Sequence, residues 1–299
     1  MKIGLMVPLA EDEHGRALPW TDLRARAEQA EASGLDSIWV YDHLLHRFPG
    51  KPAVGFWEAW TALSALAAAT SRVELGTSVL CAGFRNPAVL AKMATTLDEV
   101  SGGRLILGLG AGWHEPEFDA FGLPFDRRVS RFEEALQVIA PLLRTGEVDF
   151  AGQFVRSVNG EIRPRGPRPN GPPLMVAAFG PRMMRLTARF ADLWNTDWLG
   201  PVDHLAERRA ALETACHAEG RDPSTLGITG GVTVAYPDLG PLPAWMSTPG
   251  AYLTGDAVSL GRQLATYADL DVQHIIANVY PFTEAAVARF AAAAASVKG

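Results

Sequence analysis

The sequence predicts an α/β protein whose strands close into a (β/α)8 TIM barrel. Eight apolar runs of strand length alternate with amphipathic helical stretches along the 299 residues, and eight such units in one chain suit a closed barrel better than a doubly wound open sheet. The runs are apolar almost without interruption, as expected of parallel strands covered on both faces. No linker or short repeat divides the chain, so residues 1–299 are expected to form a single domain, within the size that barrels reach undivided.

Strands are expected at 3–8, 37–41, 73–80, 105–110, 173–178, 192–196, 227–235 and 274–279. Helices are expected at 23–32, 57–69, 88–100, 129–143, 182–190, 203–219, 256–268 and 284–297. The series Val129, Phe132, Leu136, Ile139 and Leu143 carries the helical period. Asn86 before Pro87, Gly180 before Pro181, and Asp256 after Gly255 fit helix starts. Two segments break the rhythm. Residues 147–170, with Gly152, Asn159-Gly160 and a Pro/Gly/Arg-rich exit, read as a hairpin inserted after the fourth of these helices. Residues 236–250 hold four prolines and two glycines and read as a long loop, a candidate lid.

A net charge of −6 opposes a phosphate-backbone binder, so small-molecule chemistry without a nucleic-acid partner is expected. Cys81 and Cys216 are too few for a disulfide framework or a thiolate metal site and fit a reducing cytoplasm. The first ten residues lack the features of a signal peptide, and no apolar run approaches membrane-spanning length, so no membrane partner is expected.

Working residues of a barrel sit where strands end. The run 104–115 passes from an apolar strand into Gly108, Gly110, Ala111 and Gly112, then Trp113, His114 and Glu115. Bare backbone there lets a flat ring or a phosphate lie against peptide groups; a tight turn is the plain alternative. The spacing and the place in the chain do not fit a dinucleotide fingerprint. Asp42-His43 follows the second strand directly, so His43 is the candidate proton donor or acceptor, against the alternative of a capping Asp and a satisfied rim histidine. Ala177, Ala178, Phe179, Gly180, Pro181 and Arg182 form a strand end, a small-residue turn and a helix start, which suits a bound phosphate or simply an ordinary Pro-started helix. Trp57, Trp113 and Trp198 are candidate walls of a pocket for a flat ligand. The lysines, Lys2, Lys51, Lys92 and Lys298, avoid the expected strand ends, which argues against Schiff-base chemistry, and no paired-histidine metal motif is present.

With these residues in hand, the chain resembles the bacterial luciferase-like superfamily of barrel oxidoreductases, most closely its branch that uses the deazaflavin coenzyme F420. The resemblance spans residues 1–299 and rests on 39–44 (WVYDHL), 74–79 (ELGTSV), 85–87 (RNP), 97–104 (LDEVSGGR), 108–113 (GLGAGW), and 177–182 (AAFGPR) ahead of 191–195 (ADLWN). It implies a cofactor ring near Asp42, Ser78, Val79, Gly110, Ala111 and Gly112, a cofactor phosphate at Ala178 to Arg182, and a cis peptide at Ser78-Val79. It also implies His43 at the reactive face, a small organic substrate beside Trp57, Trp113, Glu115 and Trp198, and a homodimer. FMN in place of F420 would open monooxygenase chemistry. From other classes, a barrel glycosidase would need Glu115 and Asp238 as facing carboxylates, and a cofactor-binding protein without turnover is the third alternative.

Overall fold

The fold was obtained as a computed structural model that describes residues 1–198, 203–243, 246, 250 and 252–298, apart from the side chains at 197, 198, 203, 204 and 298. Eight parallel strands form the barrel: β1 (Lys2–Met6), β2 (Ser37–Val40), β3 (Glu74–Thr77), β4 (Leu105–Gly110), β5 (Leu174–Ala177), β6 (Leu193–Trp198), β7 (Gly227–Ala235) and β8 (Val272–Tyr280). They pair in the order β5-β6-β7-β8-β1-β2-β3-β4, and β4 returns to β5 through Leu107 opposite Leu174, which closes the sheet. The closed barrel leaves no unpaired edge.

The lumen is filled by Met6, Trp39, Ile106, Met175 and Ile276. Trp39 occupies its centre because Gly4 and Gly76 flank it: a Cβ at Gly76 would stand 2.1 Å from the indole, and one at Gly4 would stand 2.1 Å from Ser37 Oγ. The indole Nε1 donates to Ser37 Oγ at 2.7 Å, and Ser37 Oγ lies 2.6 Å from His274 Nε2, so the buried polar atoms are paired.

The helices α1 (Trp20–Ala32), α2 (Ala59–Ala69), α3 (Pro87–Val100), α4 (Glu115–Ala120), α5 (Arg128–Arg144), α6 (Pro181–Phe190), α7 (Asp203–Ala218), α8 (Ala257–Ala268) and α9 (Glu284–Lys298) cover the outside. Along α5, Phe132, Leu136, Ile139 and Leu143 are buried as the periodicity predicts, each contributing roughly 1.5–3 kcal/mol of transfer free energy. Asn86 Oδ1 caps α3 by accepting from Ala88 and Val89 amides, and Asp256 caps α8 through the Ser259 amide.

The hairpin after α5 is present, pairing Glu147–Ala151 with Arg156–Glu161. Its turn lies at Gly152, whose amide donates to Val155 O at 2.9 Å, whereas Asn159, at φ +48°, sits at a register shift inside the second strand. The segment expected as a continuous strand over 73–80 is two pieces, β3 and Leu80–Cys81, separated by Ser78-Val79, which is cis. Three features were not expected: α4, the Leu80–Cys81 pairing beside β4, and a small ladder joining Leu45–His46 to Val54–Gly55. The candidate lid has a 3₁₀ turn at Pro237–Leu239, and its positions 244, 245 and 247–249 lie outside the described residues. No helix among the described residues is long and apolar enough to cross a membrane.

Candidate active site

The carboxyl ends of β2, β3 and β4 and the small ladder after β2 converge on His43. Its Nδ1 lies 3.1 Å from Glu117 Oε1 and 3.3 Å from Oε2, while Glu117 Oε2 also accepts from the Leu44 amide at 2.9 Å. Glu117 is buried on the first turn of α4. Burial pushes its carboxyl up, but the His43 hydrogen bond and the Leu44 amide outweigh this and hold it below the usual carboxylate range. An ionised carboxylate only accepts, so Nδ1 is the donor of the pair, and Nε2 is the ring nitrogen that Glu117 leaves free.

Around His43 stand aromatic rings. His46 lies 4.1 Å from it between ring centroids, Phe56 5.4 Å and Trp113 5.7 Å. His114, also buried, accepts from the Arg47 amide through Nε2 at 2.9 Å. His46 is held neutral: burial, joined by His43 and His114, lowers its imidazole to about 4, and its Nε2 is buried without a hydrogen-bond partner among the described residues.

Asp42 does not meet this space directly. It is 3% exposed, accepts from the Cys81 amide at 3.0 Å, and takes a bidentate Arg85 guanidinium at 2.6 and 3.1 Å, with Arg85 continuing to Glu58. Its carboxylate holds the loop after β3 through these bonds.

The glycines of β4 have reasons inside the protein. A Cβ at Gly108 would lie 1.9 Å from Thr77 O, one at Gly110 2.7 Å from Val79 Cγ2, and one at Gly112, at φ +77°, 2.7 Å from Cys81 Sγ and from Phe118. They let β4 close against the Ser78-Val79 segment. Ala111, beside them, is partly exposed.

The turn after β5 is different. A Cβ at Gly180 would meet nothing within 4 Å, and α6 has no side-chain cap. The amides of Phe179, Gly180 and Arg182 have no hydrogen-bond partner among the described residues. Ala178 is buried, its amide lying 3.4 Å from Asn195 O, while Ala177 pairs with β6 and Pro181 opens α6. Arg182 turns away, held by Glu133 through Nε at 3.2 Å and Nη2 at 2.5 Å. A phosphate there would be met by backbone amides.

Of the remaining positions, Trp57 is half exposed and donates to Leu18 O at 2.9 Å, on the loop between β1 and α1, and it has no ring contact with the His43 cluster. Trp113 joins that cluster. Glu115 is exposed at the start of α4, so the acid facing His43 is Glu117, two positions on. The Trp198 side chain lies outside the described residues. Asp238, exposed, pairs with Arg289 at 2.8 and 2.9 Å. Sequence reading missed Glu117, Arg85 and His46. A helix start signalled by Pro116 between two acids is the local sign that could have found Glu117.

A closed parallel barrel thus carries, at the carboxyl ends of its strands, an imidazole held by a buried carboxylate and, after β5, an uncapped helix start with free amides, the end of a barrel where working residues sit. The chain belongs to the luciferase-like monooxygenase family, whose model matches residues 1–238. It is 34% identical over 231 residues to the phthiodiolone/phenolphthiodiolone dimycocerosates ketoreductase of Mycobacterium bovis, covering 71% of this chain and 60% of the relative. It is 38% identical over 177 residues to the F420-dependent glucose-6-phosphate dehydrogenase of Amycolatopsis mediterranei, covering 57% of this chain and 51% of the relative. The match to the ketoreductase thus spans only about 60% of that protein's length. Among solved structures, an F420-dependent secondary alcohol dehydrogenase in complex with an F420-acetone adduct superposes with a TM-score of 0.83 at 20% identity, covering 100% of this chain and 99% of that one, a likeness of fold.

Proposed function

We propose that this chain is an F420-dependent oxidoreductase that interconverts a small carbonyl compound and its secondary alcohol. The observation that carries this reading is the Glu117-His43 pair, with Nδ1 committed to the buried carboxylate and Nε2 left to act at the mouth. Hydride exchange at a carbinol carbon requires a proton to leave or reach the carbinol oxygen. The reading draws further support from relatives described as a ketoreductase and as an F420-dependent dehydrogenase.

The residues present fit the coenzyme. Free amides at Phe179, Gly180 and Arg182 suit its phosphate, and the open Gly180 position leaves room for it. Ser78, Val79, Gly110, Ala111 and Gly112 would back its ring. When bound, the deazaflavin supplies a two-electron hydride donor or acceptor. In alcohol oxidation His43 Nε2 would take the hydroxyl proton, and in reduction it would return that proton to the oxygen. Glu117 fixes the ring and its tautomer, and Phe56 and Trp113 flank it.

Fluorescence titration with oxidised F420 and with FMN tests the cofactor. Tight binding of F420 and weaker binding of FMN is the expected outcome. Preference for FMN would move the chain to flavin monooxygenase chemistry, and binding of neither would end the oxidoreductase reading. His43→Ala should keep cofactor affinity while losing about 10²- to 10⁴-fold in turnover, the usual worth of general acid-base assistance. Retained turnover in this variant would remove His43 from the mechanism.

A further inference from the structure

Two adjoining cavities beside the phosphate turn are lined by arginine and by no acidic residue. One opening, about 350 Å³, lies among Arg127, Arg128 and Arg182. Its neighbour, about 300 Å³, is lined by Arg85, Arg128, Arg131 and Arg156 over the rings of Phe84, Phe118, Phe132 and Phe154. Arg128 lines both, so they adjoin across the start of α5 and reach from the first turn of α6 to the inserted hairpin, and are taken together as one groove.

Half of the arginines that line this groove are without an ion pair. Arg85 is neutralised by Asp42 and Glu58, Arg131 by Asp126, and Arg182 by Glu133. Glu134, the next acid on α5, is spent on the Gln153, Phe154 and Val155 amides that seat the hairpin. Arg127, Arg128 and Arg156 are exposed and have no carboxylate within ion-pair distance among the described residues. In a chain of net charge −6, three guanidinium groups without carboxylate partners, Arg128 stacked 5.0 Å over the Phe125 ring, stand beside the partly exposed rings of Phe84 and Phe154 and concentrate positive potential in one place. The complementary ligand is an extended chain bearing several carboxylates on methylene stems: carboxylates for the guanidinium forks, methylenes for the phenylalanine faces.

We propose that the groove binds the oligo-γ-glutamyl tail that coenzyme F420 carries beyond its phosphate, an assignment that rests on the F420 reading above. With the phosphate at Gly180, the tail leaves past Arg182 and enters the groove at Arg128. The inserted hairpin thereby has a task, since it supplies Arg156 and one wall.

The test measures binding alone. Oxidised F420 bearing several glutamates and F420 with its phosphate but no glutamate are titrated by fluorescence against the wild type, Arg128→Ala/Arg156→Ala and Arg128→Lys/Arg156→Lys. The wild type should prefer the glutamylated form by roughly five- to thirtyfold, the worth of two exposed charge pairs near the upper end of their range. The preference should shrink as salt is raised. The alanine pair should abolish it while leaving affinity for the tail-less form unchanged, and the lysine pair should retain part of it. Equal affinity of the wild type for both forms, or a preference that survives the alanine pair, would overturn the assignment while leaving the cofactor reading intact. Failure of both forms to bind the wild type would defeat the cofactor reading itself. Free oligo-γ-glutamate should compete with the glutamylated form only. An unrelated acidic peptide that binds the groove more tightly than the coenzyme does would assign it to a protein partner instead.

Discussion

His43 depends on a residue 74 positions away. Glu117→Gln keeps the shape and a hydrogen-bonding group but removes the charge, and the amide can present its NH2 to Nδ1 and reverse the tautomer. Turnover is expected to fall by about 10²-fold or more, with cofactor affinity kept, because orienting carboxylates act on proton transfer and not on phosphate contacts. Steady-state kinetics together with the fluorescence titration check this, and Glu117→Asp should recover part of the rate. His46 carries a pH prediction. Its imidazole is lowered to about 4 in the folded chain, while the unfolded value is about 6.5. Between these values the unfolded state binds the extra proton, so stability rises with pH; the contribution is intact above 6.5 and is lost as pH falls toward 4. The loss should amount to about 2–3 kcal/mol. Denaturant melts from pH 7 to 4 should show it, and His46→Phe should flatten that part of the curve. His43 was legible in the sequence because an imidazole directly follows an apolar strand. Glu117 and His46 were not, because their roles arise from contacts between separate loops.

At the scale of elements, the turn into α6 and the glycine run of β4 looked alike in sequence and differ in the folded chain. Gly180 faces open space at an ordinary negative φ of −80°. Gly180→Val should therefore fold with a melting temperature near that of wild type, yet lose cofactor affinity by tenfold or more as its branched side chain crowds the amides, an effect of roughly 1.4 kcal/mol or above. Wild-type affinity in a folded Gly180→Val protein would reduce the turn to a helix start. Gly112→Ala should show the reverse balance. A Cβ there strains a left-handed residue and strikes Cys81 and Phe118, so thermal unfolding should report a loss of about 2 kcal/mol or more. The element boundaries were largely legible because strand and helix periods are local properties of the chain. The short helix α4 was not, since six residues show too little of a period.

The whole barrel is organised around Trp39, which is fully buried and fits between Gly4 and Gly76. Trp39→Ala should cost about 3–5 kcal/mol, the usual penalty for emptying a large aromatic site, and Gly76→Ala about 1–3 kcal/mol through overpacking. Calorimetry on both variants checks the pair, and a Gly76→Ala protein as stable as wild type would show that the lumen is looser than its geometry implies. By itself the sequence determined the barrel, the order of its eight strands, the inserted hairpin, and the rim positions of His43 and of the Gly180 turn. Each of these follows from periodicity or from the chemistry of neighbouring residues. Only the tertiary structure decided that Asp42 serves Arg85, that Glu117 and not Glu115 faces His43, and that the β4 glycines make room for a neighbouring strand. It also decided that the arginines of α5 and the hairpin share one groove. Those outcomes depend on which strand ends meet when β4 closes onto β5, and no local pattern of residues records such a meeting.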